Sequence, residues 1–224
     1  MTSPLAILGG TFDPVHYGHL RLADDVRRAL ALPEVRLVPA GEPPHRLAPQ
    51  ASPRDRIAML ELAVREFPGL VVDAREIDRG GKSYTVDTLS ELRAEMPRTP
   101  LALLVGADAF RGLPSWRRWT DLFALAHLIV VPRPGVAIGA DLPDVLAREW
   151  NARRIDDPQV LRGRLAGSIY LQPVAEQPIS STAIRAALAH GGLEPVEIAG
   201  LLPAAVLAYI ESNGLYTGPL PHAP

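Results

Sequence analysis

The chain has 224 residues, 47% of them hydrophobic and 21% charged, a formal net charge of −2, a pI near 6.3 and no cysteine. That length fits one α/β domain over 1–216, with 217–224 as a Pro-rich tail expected to be disordered. The near-neutral balance excludes a chain built mainly to coat nucleic acid or an anionic membrane, and the lack of cysteine excludes disulfides and thiolate chemistry.

No stretch reaches the ~18 apolar residues of a membrane span, and the start "MTSPLAILGG" has no basic leader, so a cytoplasmic protein with no membrane partner is expected. Short apolar runs alternate with longer stretches of helical period, the pattern of a parallel sheet covered by helices on both faces. In chain order the strands read "LAILG" at 5–9, "VRLVP" at 35–39, "LVVDA" at 70–74, "LALLVG" at 101–106, "HLIVVP" at 127–132 and "SIYLQ" at 168–172. Several are apolar almost throughout, as strands buried on both faces are.

Between them, "SPRDRIAMLELAVREF" offers Ser52 as a cap, Pro53 at the first helical position, and Ile57, Leu60 and Val64 at helical spacing. "YTVDTLSELRAEM" predicts a second helix and "DVLAREWNARR" a third, in the Pro-, Gly- and Arg-interrupted stretch 133–167. The last helix, "PAAVLAYIESNG", stops at Asn213 and Gly214.

Two segments carry chemistry. In "GGTFDPVHYGHL", residues 9–20, a strand runs into Gly9 and Gly10, which let the backbone turn tightly and approach a ligand. A helix beginning near Tyr17 puts His16 and His19 on one side of its first turn, with Gly18 keeping that surface open. Free backbone N–H groups and imidazole donors then converge where an anion is favoured. A histidine pair at this spacing is also a common incidental feature, and Asp13 as the nearest carboxylate makes only a thin zinc site. In "ISSTAIR", residues 179–185, Ser180, Ser181 and Thr182 stand at a helix start, with Arg185 in its first turn as a bidentate partner for phosphate. The plainer reading is a well-capped amphipathic helix. Two anion-ready helix starts, each following a predicted strand, fit one active site better than two accidents.

The first segment resembles the signature of the HxGH nucleotidyltransferases, and the second resembles the serine-rich helix start those enzymes pair with it. The resemblance implies a Rossmann-like nucleotidyltransferase domain that moves a nucleoside monophosphate from a triphosphate onto a phosphate acceptor. "VPAGEPPHR", "KSYTVDTLSEL", "LLVGADAFRGLPSWRRW" and "VVPRPG" further resemble the bacterial nicotinate mononucleotide adenylyltransferases, in the expected order. That likeness covers most of residues 5–216. It implies ATP and nicotinate mononucleotide as substrates, and deamido-NAD and pyrophosphate as products.

By the same resemblance, His16, His19 and Arg185 are the catalytic residues. Gly9, Gly10, Thr11, Phe12, Gly106, Asp108, Ser180, Ser181 and Thr182 bind ATP. Trp116 stacks on the pyridine ring, groups around Tyr84 and Thr85 hold its carboxylate, and His45 and Arg133 lie near the mononucleotide phosphate. Trp119 reads equally well as an aromatic packing contact. No residue is assigned as a metal ligand, and Mg²⁺ is expected to arrive with ATP. One departure stands out: where the family often has asparagine after the second strand, this chain has Ala40-Gly41-Glu42, leaving the Gly41 N–H as a substitute donor.

Other readings remain open from sequence. Phosphopantetheine adenylyltransferase, or another member of the superfamily, shares the two motifs but is usually a shorter chain. A non-catalytic nucleotide sensor would keep the glycines and the phosphate helix. A hydride-transfer enzyme is disfavoured, because "GGTFDP" is not a G-x-G-x-x-G turn.

Overall fold

Strand β1 (Leu5–Gly10) is an interior strand, third in a seven-stranded, wholly parallel sheet of order β3-β2-β1-β4-β5-β7-β6. Its companions are β2 (Val35–Pro39), β3 (Leu70–Val72), β4 (Leu101–Gly106), β5 (His127–Val131), β6 (Arg154–Ile155) and β7 (Ile169–Leu171). The computed structural model describes residues 2–44, 48–132, 138–139, 141–175, 178–190, 198 and 200–217. His45, Arg133 and the tail from 218 onward lie outside the described residues.

The helices are α1 (Tyr17–Ala29), α2 (Pro53–Ala63), α3 (Arg75–Arg79), α4 (Thr85–Glu95), α5 (Ala107–Arg111), α6 (Leu122–Leu125), α7 (Asp144–Arg153), α8 (Val160–Gly163), α9 (Ser181–His190) and α10 (Ala204–Ser212). Strand periodicity sorts the core into two layers. Ala6, Leu37, Ala102, Leu104 and Ile129 face α1, α2, α9 and α10. Leu5, Ile7, Leu103, Val105, Leu128 and Val130 face α4, α5, α6 and α7. Strand order reverses between β1 and β4, and the crevice at their carboxyl ends is where such sheets bind ligands.

At four places the structure corrects or adds to the sequence reading. β3 ends at Val72, because the Asp73 carboxylate accepts from the Arg75 amide and guanidinium and starts α3 instead. β6 went unread: "NARRI" looks helical, but α7 stops at Arg153 and the next two residues pair with β7. The 113–121 stretch around both tryptophans is two 3₁₀ turns, broken by Arg118 in the left-handed region (φ 51°). Finally, α2 does start at Pro53 with Ser52 capping the Asp55 amide, but it buries Arg56, Met59, Leu60 and Ala63, while Ile57 and Val64 stay partly exposed. The buried stripe is turned toward Arg56, whose guanidinium has partners inside.

Candidate active site

The crevice is organised by the loop between β1 and α1. Gly10 carries no side chain because the Phe12 ring occupies that space; a Cβ there would sit 3.0 Å from the ring. Phe12 adopts a left-handed backbone (φ 50°), a costly state for a bulky residue, and burial of its ring in the core compensates. That ring therefore supports the loop from below and meets His19 edge-on at 5.0 Å, leaving only its backbone for a ligand.

His16 is the N-cap of α1 and supplies no side-chain cap; the Tyr17 amide donates instead to the Leu201 carbonyl at 3.0 Å and the His19 amide to the His16 carbonyl at 2.9 Å. The His16 and His19 rings stack with centroids 3.7 Å apart. Gly18 does more than keep the surface open: a Cβ there would lie 2.9 Å from the His16 ring, so glycine is what lets the ring fold back. His16 is 4% exposed, and burial lowers its pKa to about 4, which makes it a neutral imidazole at physiological pH. Its Nδ1 is buried and makes no hydrogen bond among the described residues.

The second motif meets the first here. Ser180 Oγ accepts from the Ala183 amide and caps α9, and Ser181 Oγ donates to the Pro14 carbonyl at 3.0 Å. Arg185 donates to the Asp13 carbonyl at 2.6 Å and to Thr182 Oγ1 at 3.3 Å, which fixes its fork while leaving further N–H donors. Ile179 lies close to Gly18. Segments 167 positions apart thus form one pole, with His16, His19, Ser181 and Arg185 around the Asp13–Pro14 backbone.

The neighbouring cavity, about 420 Å³, is lined by Gly9, Gly10, Thr11, Ala40, Ser83, Tyr84, Thr85, Asp108, Trp116 and Arg117, among others. This size suits a small-molecule substrate. Thr85 is the first residue of α4, not its cap; the cap position is Tyr84, with no side-chain cap bond, so this helix start presents open amides. Trp116 and Trp119 are both half-buried against the core, Trp119 edge-on to Phe123, and Trp116 also lines the cavity. Gly106 closes β4, and Asp108 sits in the first turn of α5. The Gly41 N–H expected to replace the missing asparagine is already donated to Ser83 Oγ at 2.8 Å. It is committed to the scaffold.

Sequence reasoning missed a buried layer beneath these residues. Asp13, read only as a thin metal ligand, accepts from the Gln50 and Ala51 amides and from Tyr216 OH. Arg56 is fully buried and donates to the Thr11 carbonyl at 2.8 Å. Arg117, passed over beside the tryptophan, lies over the Tyr84 ring at 4.6 Å. Among the described residues no group of three or more histidines and carboxylates is arranged to hold a metal ion. No helix there is long and apolar enough to cross a membrane.

Comparison with known proteins bears on this geometry. The profile of the cytidylyltransferase-like family matches residues 7–187. A protein of Halorhodospira halophila described as a probable nicotinate-nucleotide adenylyltransferase is 48% identical over 215 residues, 96% of each chain. The protein of the same description from Acidithiobacillus ferrooxidans is 46% identical with the same coverage. The chain belongs to the nicotinate-nucleotide adenylyltransferase family. A solved structure of the Plasmodium falciparum nicotinic acid mononucleotide adenylyltransferase complexed with NaAD superimposes with TM-score 0.72 over 98% of this chain and 100% of that one, at 18% identity. It shares the nucleotidyltransferase fold. In this member of the nicotinate-nucleotide adenylyltransferase family, the starts of α1 and α9 lie together beside a cavity lined by Tyr84 and Trp116.

Proposed function

We propose that the chain transfers the adenylyl group of ATP to nicotinate mononucleotide, releasing pyrophosphate and forming deamido-NAD. The observation that carries this reading is the continuity of the site. The loop Gly9–Asp13 joins a phosphate-suited pole to a cavity that holds a half-buried tryptophan and an uncapped helix start.

The acceptor's 5′-phosphate attacks the α-phosphorus of ATP in line; one P–O bond forms as the bond to the pyrophosphate oxygen breaks. A phosphate anion needs no general base, so catalysis rests on alignment and on donors aimed at growing charge. His16 supplies a neutral N–H, His19 and Arg185 reach the transferring and leaving phosphates, and the α9 start with Ser181 holds the outer oxygens. Gly9, Gly10 and Thr11 bring backbone close to the nucleotide, with Gly106 and Asp108 on its sugar and base side. Nucleotidyltransferases of this kind use a divalent metal, taken here as Mg²⁺ entering on ATP; the donor set of histidines, hydroxyls and arginine fits a metal held by phosphate oxygens and water rather than by a protein cage.

On the acceptor side, Trp116 offers a flat face for the pyridine, and the amides opening α4 at Thr85 suit its carboxylate, beside Tyr84. Pyrophosphate release from MgATP with nicotinate mononucleotide, nicotinamide mononucleotide or phosphopantetheine as separate acceptors tests the assignment. Release chiefly with the nicotinate compound is expected. Release only with phosphopantetheine would keep the chemistry and replace the acceptor.

A further inference from the structure

A buried arginine on a helix is expensive to desolvate, and an apolar side chain of similar volume would serve the core as well. Arg56 is nonetheless 0% exposed on the inner face of α2. Its Nη1 donates to the Thr11 carbonyl at 2.8 Å, and its Nη2 reaches the Gly41 carbonyl at 3.4 Å. The contacts continue on the far side of Gly41. The Gly41 amide donates to Ser83 Oγ at 2.8 Å, and the Ser83 amide donates to the Glu42 carbonyl at 2.9 Å. Gly41 packs too closely on the Glu76 backbone for any side chain, since a Cβ there would meet the Glu76 carbonyl at 2.9 Å. Thr11 and Ser83 both line the cavity, one on the loop after β1 and the other just before α4.

We infer that Arg56 and Ser83 are positioning residues, two ends of a strut through Gly41 that fixes the loop carrying ATP relative to the helix start that receives the acceptor. The inference rests on the adenylyl-transfer reading and adds to it how two separately bound substrates are brought into line. A strut of this kind leaves the binding of each substrate alone nearly untouched. It governs the approach of the reacting atoms, where a misplacement of about 1 Å can cost ~10²-fold in rate.

The test uses the full chain, with rates normalised to the folded, nucleotide-binding fraction. Parent turnover on nicotinate mononucleotide is measured first. Arg56→Lys, whose single ammonium lacks the fork needed to span both carbonyls, is expected to lower kcat by ~10–100-fold while shifting either KM, and the calorimetric affinity for ATP, by less than about threefold. Ser83→Ala is expected to lower kcat by ~3–10-fold, and the double variant to be no more than about twofold worse than Arg56→Lys, because both act through Gly41.

A role confined to stability would reduce the folded fraction and leave normalised kcat intact, and that result overturns the proposal. So do effects that multiply in the double variant, or losses confined to KM. Should Arg56→Lys fail to fold, Ser83→Ala decides alone, with an unchanged kcat counting against the strut. An inactive parent overturns both this inference and the functional reading; an active parent with unaffected variants overturns this one only.

Discussion

His16 is locked into the core against Gly18, while His19 keeps partial exposure at the mouth of the loop, so the two rings of one motif divide the work. His19→Ala is therefore expected to lower turnover by ~10²–10³ with little change in melting temperature, as removal of one transition-state donor does; matched losses in activity and stability would count against it. Arg117 offers a second test. It is 52% exposed, lies over Tyr84 and stands 3.9 Å from Asp87 in the first turn of α4, where it offsets a carboxylate that would repel an acidic ring. Arg117→Gln is expected to reduce kcat/KM for nicotinate mononucleotide about fivefold more than for nicotinamide mononucleotide, a modest figure because exposed charge is screened. That His16, His19 and Arg185 gather around one loop was expected from their two motifs, and the structure brings them together there. Arg56 and Tyr216 were not expected there, because their partners are backbone and carboxylate groups far away in sequence, and an arginine on a helix reads by default as solvated.

At the scale of elements, the start of α1 is a packing problem as much as a catalytic one. Gly18→Ala would place a methyl 2.9 Å from the His16 ring, so the ring, the stack and His19 must shift together. Activity is expected to fall at least ~10-fold with a native circular dichroism spectrum, since the cost is one local clash rather than a lost core. The start of α2 is simpler: Ser52→Ala removes the cap on Asp55 and is expected to cost about 1 kcal/mol in urea unfolding. Long apolar strands and capped helices were readable because their signals are local and periodic. The two-residue β6 and the short α3 were not, since such pieces are decided by one pairing partner or one carboxylate. The stripe of α2 was misjudged for a related reason: periodicity counted Ile57 and Val64, while hydrogen bonds turned Arg56 inward.

For the whole molecule, two buried histidines are expected to lower stability in acid. His127, on β5, is buried in the neutral form, its Nδ1 accepting from the Ser168 amide and its Nε2 bonded to the Arg164 carbonyl. Burial lowers the pKa of both His127 and His16, the latter to about 4 from 6.5. Above pH 6.5 neither histidine distinguishes folded from unfolded chain. As pH falls from 6.5 toward 4, the unfolded chain takes up protons that the folded one refuses, so stability drops; below about 4 the His16 contribution is level. The His16 shift is expected to contribute about 3 kcal/mol of that loss. Urea unfolding at pH 7.5, 5.5 and 4.5 should show the decline, and replacing His127 with glutamine should flatten part of it; a profile that stays flat in the parent would contradict the assignment.

The hydrogen bond from Tyr216 to Asp13 spans 203 positions. The loop after β1 and this fastening of it are therefore made about 200 residues apart during synthesis. Partly made chains, and products cut short before residue 216, would carry the histidines and glycines without the tether that steadies them. Fragments that stop short of Tyr216 would then be poor consumers of ATP, and competence would wait on emergence of that tyrosine.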